Sequence, residues 1–343
     1  MSTYNKTVLN PSLLYGILIA ILFFCLLLTL FVGDVPWDIV WPDALNRLQG
    51  KGSAAWNPLL DERIPRLIVI LCTGPSLVVS GAVMQSLFHN PLASPNVLGI
   101  SCGGGLLVLV VFALEWHLQY PFIIPIAAFT GCLLTLMLVY SLSHSSGEIN
   151  IHTLIITGIA ISSLLLAIRA AIMYALRDNW TLVQTLTEWE AGSTLDRDWK
   201  HVHMQLPLTL AGLWGCWHYH SEIDILALGE EEAKNLGVEV KKVRWRLFLC
   251  VALLVGGALA SVGIIAFFGL MVPHLVRYVQ GPSGHRLIPF SILIGSIAFA
   301  AIDLSLRALG IHSLSIGTVS AVVGSLFFFI LVRRPQLFAR GHA

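Results

Sequence analysis

A transmembrane helix needs about 20 consecutive apolar residues, and this 343-residue chain supplies that length repeatedly. Such runs lie near 13–33, 66–88, 100–115, 122–143, 151–176, 204–219, 246–268, 287–308 and 316–333. A shorter apolar piece at 269–279, bounded by Gly269 and Gly281 and holding Pro273, reads as a separate short helix. The pattern predicts an all-α integral membrane protein with about ten transmembrane helices, some of them interrupted. Composition agrees, because only 11% of residues are charged, against roughly 25% in a soluble domain. The first run follows MSTYNKTVLNPS without a small-residue cleavage site, so an uncleaved span is expected there rather than a signal peptide.

Basic residues set the expected orientation. With a cytoplasmic N-terminus and ten spans, Lys6, Lys234, Lys241, Lys242, Arg244, Arg246, Arg277, Arg286, Arg333, Arg334 and Arg340 fall inside. Those 11 compare with 8 outside: Arg47, Lys51, Arg63, Arg66, Arg177, Arg197, Lys200 and Arg307. Both termini are then cytoplasmic. Gly74, Gly81, Pro91 and Gly99 match Gly256, Gly263, Pro273 and Gly281 at one constant offset. That spacing fits either an inverted repeat or chance in a glycine-rich chain. The largest non-membrane pieces are 34–62, 177–203 and 220–245, so one transmembrane domain over 1–343 is expected, with no appended soluble domain.

Within 220–245, the stretch DILALGEEEAKNLG (Asp224–Gly237) reads as a soluble amphipathic helix in an otherwise lipid-soluble chain. Asp224, Glu230, Glu231 and Glu232 sit among Leu226, Leu228, Ala233 and Leu236, and a basic run from Lys241 to Arg246 follows. Such a segment suits docking by another protein. No Gly-x-x-x-x-Gly-Lys-Ser/Thr phosphate loop is present, so ATP hydrolysis by this chain is not expected. The cluster Gly103–Gly105 lies in an apolar run and points to helix packing. The six cysteines lack zinc or redox spacing and read as small buried hydrophobes. His201/His203 and His218/His220 are alternate residues, which point in divergent directions on a helix, so neither pair is expected to bind metal. No catalytic constellation stands out.

Arg169 and Asp303 look intramembrane, where charge is costly and usually paired. Arg169 could meet a substrate or a neighbouring helix. Arg63 and Arg66 are three residues apart at the start of a span, hence on one helix face, and Arg307 sits at the end of another. They read either as snorkelling arginines or as a cationic rim that holds a partner's carboxylates.

Several blocks together closely resemble the permease subunits of ABC importers for iron–siderophores, haem and vitamin B12, the FecCD-type transmembrane subunit. They are RIPRLIVILCTGPSLVVSGAVMQSLFHNPLASPNVLGIS, TLIITGIAIS, WEAGSTLDRDW, DILALGEEEAKNLGV, GIIAFFGLMVPHLVRYVQGPSGHRLIP, IDLSLRAL and SLSIGTVSAVVGSLFFFILV, in family order across nearly the whole chain. The resemblance implies a type II ABC importer permease fold in a bacterial inner membrane. It implies a second permease subunit, two ATPase subunits that bind ATP and Mg²⁺, and a substrate-binding protein on the outer face. No cofactor or metal is implied on this chain itself.

By the same resemblance, Arg63, Arg66 and Arg307 are docking residues for glutamates of the binding protein. Charge reversal of Arg63 and Arg66 is then expected to weaken docking and leave the fold intact. Asp224, Leu226, Leu228, Gly229, Glu230, Ala233, Leu236 and Gly237 become the coupling segment seated in the ATPase. Asn90 and Leu92 fall at one constriction of the translocation gate, and Ile151 and His152 at the other. A close relative has small hydroxyl residues at the second constriction. The implied cargo is a ferric siderophore, with haem or vitamin B12 as the alternative. A secondary transporter driven by an ion gradient would need midplane acids or an ion site, and a membrane-embedded enzyme would need a catalytic constellation; the sequence offers little of either.

Overall fold

The computed structural model describes residues 11–33, 35–51, 56–120, 122–145, 148–149, 151–280, 284–311 and 314–333. Each apolar run becomes a helix, as it must where lipid offers no partner for backbone N–H and C=O groups. The long helices are α1 (Pro11–Phe31), then, after the short α2 (Trp37–Leu48), α3 (Ile64–Leu87) and α4 (Ile100–Ala113). A four-residue turn of helix, α5 (Trp116–Gln119), leads to α6 (Ile123–Ser143). The two-residue strands β1 (His144–Ser145) and β2 (Glu148–Ile149) pair antiparallel and return the chain into α7 (Ile151–Ala175). There follow α8 (Trp180–Ala191), α9 (Trp199–His218), α10 (His220–Leu226), α11 (Glu230–Asn235) and α12 (Val240–Val262). The chain closes with α13 (Phe268–Gln280), α14 (Gly284–Ala308) and α15 (Ile316–Arg333).

Among the described residues, six helices are long and apolar enough to cross a membrane by length and composition: α1, α3, α6, α7, α12 and α14. At 1.5 Å per residue α13 reaches only about 20 Å, short of the ~30 Å hydrocarbon core, so it cannot cross alone. The non-membrane pieces 34–62 and 177–203 carry α2 and α8. Two sequence boundaries are corrected. The helix α12 runs Val240–Val262, not 246–268, because it takes in the basic run and stops at Gly263, whose φ of 85° favours glycine. The helix α9 starts at Trp199 because Asp198 caps it, accepting from the backbone of Lys200 and His201.

The bundle is built around α3 and α12. Buried residues make up 83% and 78% of their apolar windows, against 11% for α1 and 17% for α7. Around this pair, α12 packs on α9, α6 and α3, while α3 packs on α14, α9 and α13. The outer helices turn Phe23, Phe24, Ile156 and Leu164 outward, an arrangement suited to lipid or a second chain and unsuited to water.

Close helix approach depends on glycine. A Cβ at Gly81 of α3 would overlap the Gly269 carbonyl, and one at Gly131 of α6 would overlap that of Gly103 on α4. Gly103 and Gly104 thus serve helix packing, as their place in an apolar run suggested. The helices α3 and α12 run in opposite directions, as an inverted repeat requires. Their matched residues nonetheless differ locally. Gly81 sits inside α3 whereas Gly263 ends α12, and Pro91 lies in a turn whereas Pro273 lies inside α13. Gly281 lies outside the described residues. Different contacts set the same spacing, so the repeat finds no local structural counterpart.

Candidate functional site

The two candidate regions sit at opposite ends of the bundle. At one end, Trp199 Nε1 of α9 donates to the Leu60 carbonyl at 2.9 Å, and the start of α3 meets the end of α14 through Arg66 and Asp303. The helix α9 then runs the length of the bundle to reach α10 and α11 at the other end.

At the first end, α1 stops at Phe31 and leaves carbonyls without intrahelical partners, at the negative pole of its dipole. Two arginines fill this need. Arg63 donates from Nη1 to Leu30 O at 2.9 Å and from Nη2 to Val35 O at 2.6 Å. Arg307 donates from Nη1 to Thr29 O at 3.1 Å and Val32 O at 2.7 Å. A Cβ at Gly33 would lie 2.5 Å from Arg63 Nη2, so a side chain there would displace the guanidinium from these carbonyls.

Arg66 turns to Asp303 on α14. Its Nε and Nη2 donate to Asp303 Oδ1 at 3.2 and 2.8 Å, and Thr194 Oγ1 donates to the same oxygen. Arg307 Nε donates to the other oxygen, Oδ2, at 3.0 Å. A cleft of about 250 Å³ lies over this group, lined by Arg63, Arg66 and Arg307 together with Glu62, Trp56 and Leu195.

These arginines are not snorkelling head groups. Arg63 and Arg66 are each 4% exposed, and each of the three is bonded to its own chain. The expectation that charge reversal leaves the fold intact is therefore corrected, since Arg66→Glu would set a second buried carboxylate against Asp303. Sequence reasoning missed Asp303 and Thr194 as members of this group. The i,i+4 spacing of Asp303 and Arg307 was the available signal.

At the opposite end, Asp224–Gly237 is not one continuous helix. The chain forms α10, turns at Ala227–Gly229, and forms α11, because Gly229 takes φ 136°, a conformation that excludes ordinary helix. Leu226 and Ala233 are buried in the bundle, so their methyl groups do not face a partner. Leu228 and Leu236 point outward, 66% and 63% exposed, beside the exposed Glu231 and Glu232. Gly237, at φ 82°, closes α11, with Val238 N donating to Ala233 O at 3.0 Å. Asp224 lies close enough to Arg277 for their charges to interact.

Glu230 holds this segment in place. Its Oε2 accepts from Arg244 Nη2 of α12 at 2.8 Å, and its Oε1 lies 3.0 Å from Lys234 Nζ. Arg244 is buried and also donates to the Tyr140 hydroxyl of α6 at 3.2 Å. Burial pushes the Glu230 carboxyl up, but the bonds from Arg244 and Lys234 outweigh it and hold the group below its ordinary value. A carboxyl depressed in this way contributes stability above its unfolded pKa and loses it as pH falls through the folded one. Acidification below the ordinary carboxylate range is expected to lower the amide-exchange protection factors of Glu230–Asn235, each taken relative to the intrinsic rate at that pH. Arg244→Met should remove most of that pH dependence, and a dependence left unchanged would assign it elsewhere.

The gate residues are placed less completely. Asn90, buried, uses Oδ1 to accept from Leu92 N at 2.9 Å within the turn after α3, and Leu92 is half-buried. Gln85 Nε2 ties this turn to α13 by donating to Pro91 O and Leu270 O at 3.0 and 3.2 Å. Ile151 and His152 begin α7, but their side chains lie outside the described residues. Arg169 is paired with Glu190, the neighbouring-helix alternative. Among the described residues no group of three or more His, Cys, Asp or Glu could hold a metal.

Residues 20–334 match the FecCD transport family. The chain is 33% identical over 314 residues to the Fe(3+) dicitrate transport system permease protein FecD of Escherichia coli, covering 90% of this chain and 95% of that protein. It is 33% identical over 311 residues to the cobalamin import system permease protein BtuC of Halobacterium salinarum, with 89% and 81% covered. With the hemin transport system permease protein HmuU of Yersinia pestis it shares 31% identity over 343 residues, with 95% and 97% covered. A solved structure described as an inward-facing conformation of an ABC transporter of metal-chelate type superposes with a TM-score of 0.80 at 25% identity, covering 95% of this chain and all of the other. An all-helical membrane bundle, a segment that presents leucines from one end, and agreement along nearly the whole chain lead to one conclusion: this protein belongs to the FecCD transport family, as a multi-pass permease subunit of an ABC importer that works with ATPase partners and a second permease subunit, and is not itself an enzyme.

Proposed function

We propose that this chain and a second permease subunit form the path by which a ferric siderophore crosses a bacterial inner membrane, delivered by a binding protein on the outer face. The observation that carries this reading is the separation of two chemically different ends. An arginine-lined cleft lies at one end and an outward-facing leucine pair at the other. The first suits carboxylates of a binding protein, and the second suits a groove of an ATPase that binds ATP and Mg²⁺. In this orientation the termini and the 220–245 segment are cytoplasmic. The whole chain acts as one permease domain, and Asn90, Leu92, Ile151 and His152 narrow the path near the cytoplasm. Closure of the ATPase moves α10 and α11. Because each partner prefers one conformation of the permease, binding at one end biases the other. Relatives named for Fe(3+) dicitrate and siderophore transport support an iron chelate as cargo. Those named for hemin and cobalamin make haem or vitamin B12 the alternative.

Arg63→Gln tests the docking end with little disturbance, since the amide can still donate to a carbonyl at the end of α1. Affinity for the binding protein encoded alongside the chain is expected to fall at least tenfold, and its salt dependence to flatten. Unchanged affinity would leave Arg63 as a cap of α1 alone.

A further inference from the structure

Arg66 and Arg307 share one buried carboxylate, and its position relative to the cleft has a consequence. Asp303 does not line the cleft. It lies behind Arg66 and Arg307, beside a small space of about 20 Å³ that Thr194, Leu306 and Ile316 also line. Its side chain is 0% exposed, against 5% for Arg66 and 8% for Arg307. Oδ1 takes the Nε and Nη2 donors of Arg66 and the Thr194 hydroxyl, and Oδ2 takes Nε of Arg307. One carboxylate thus grips two guanidinium groups, each through its Nε edge, and joins the start of α3 to the end of α14. Arg307 Nη2 lies 2.9 Å from Oδ2 but has no aligned hydrogen bond, so one buried donor still lacks an acceptor.

We propose that Asp303 is a positioning residue for docking: from behind the cleft it fixes Arg66 and Arg307 so that a partner carboxylate meets two guanidinium groups already ordered. This rests on the reading of the cleft as the binding-protein dock. Two side chains with several rotatable bonds each would otherwise have to be ordered at the moment of binding, and fixing them beforehand lowers that cost. Asp303 also offsets one of three like charges gathered at the cleft. Thr194 sets the carboxylate's orientation by donating to Oδ1.

Positioning and simple charge make opposite predictions, which allows a decisive test. Asp303→Asn keeps the shape and removes a negative charge from a positive site. If charge alone mattered, a partner carboxylate would bind more tightly. If Asp303 positions the arginines, binding weakens, by an expected tenfold or more.

Affinity would be measured for the assembled permease–ATPase complex in nanodiscs against the binding protein encoded alongside it. In an Arg66→Gln background, Asp303→Asn should cost at most a few-fold more, because most of its effect runs through Arg66. A purely structural role would give a full additional loss there. Thr194→Val leaves every charge in place and should weaken docking about threefold; it decides the matter if Asp303→Asn does not assemble. Affinity unchanged or raised in Asp303→Asn, or unchanged in Thr194→Val when the former cannot be made, overturns the proposal. If Arg63→Gln is also without effect, the docking reading itself has failed. If Arg63→Gln weakens binding and the Asp303 and Thr194 variants do not, only the positioning role has failed.

Discussion

Leu228→Asp together with Leu236→Asp is expected to abolish stable association with the ATPase while leaving the permease folded. Both side chains stand largely outside the bundle, more than three-fifths exposed, so their replacement removes little internal contact, and surface changes of this kind usually shift stability by under about 0.5 kcal/mol. Docked in a groove, each leucine would contribute roughly 1.5–3 kcal/mol, so losing both weakens association roughly 10²- to 10⁴-fold. The new carboxylates would also stand beside Glu231 and Glu232, adding desolvation cost and repulsion at the interface. Co-purification and titration of the ATPase onto the permease in nanodiscs read the effect. A variant that still binds the ATPase with undiminished affinity would remove these leucines from the interface. Leu226→Asp is not an equivalent probe, since Leu226 is buried and its replacement would damage the fold.

The second large effect concerns the fold. Gly81→Val should yield no folded protein, and Gly81→Ala should lower the unfolding temperature by many degrees. A Cβ at Gly81 meets the Gly269 carbonyl oxygen and the backbone around it, and backbone cannot step aside as a flexible side chain can. Overpacking in a core typically costs 1–3 kcal/mol, and a clash with backbone belongs to the rarer losses above roughly 4 kcal/mol. The contact joins α3 to the start of α13, the short helix that cannot cross a membrane alone and depends on its neighbours. Gly16, with open space around it, provides the contrast, and Gly16→Ala should be neutral. Thermal unfolding in detergent separates the two, and equal loss from both substitutions would show that Gly81 is not a close-approach site.

What the sequence revealed follows the range of the forces involved. Ten apolar runs announce ten helices because lipid forces each run to satisfy its own backbone, and the boundaries of α12 erred where polar residues belonged to the helix and where Gly263 ended it. The start of α12 was hidden because Lys241–Arg246 reads as a loop, yet Arg244 is buried through its pairing with Glu230 and Tyr140. The Leu–Glu spacing of Asp224–Gly237 suggested one amphipathic helix, and a single glycine conformation at Gly229 divides it. The arginines were harder still. Arg66 and Asp303 are 237 residues apart, and no periodicity reports such a pairing. The family resemblance indicated which arginines matter, but only the packed helices show that they are held from within.

Uptake of a radiolabelled ferric siderophore into proteoliposomes, carrying this chain with its partner permease, ATPase and binding protein, tests the central claim most directly. Accumulation should require ATP, survive collapse of every ion gradient, and disappear in the Leu228→Asp/Leu236→Asp variant. Uptake that persists without ATP and stops when the ion gradient is dissipated would contradict an importer driven through α10 and α11.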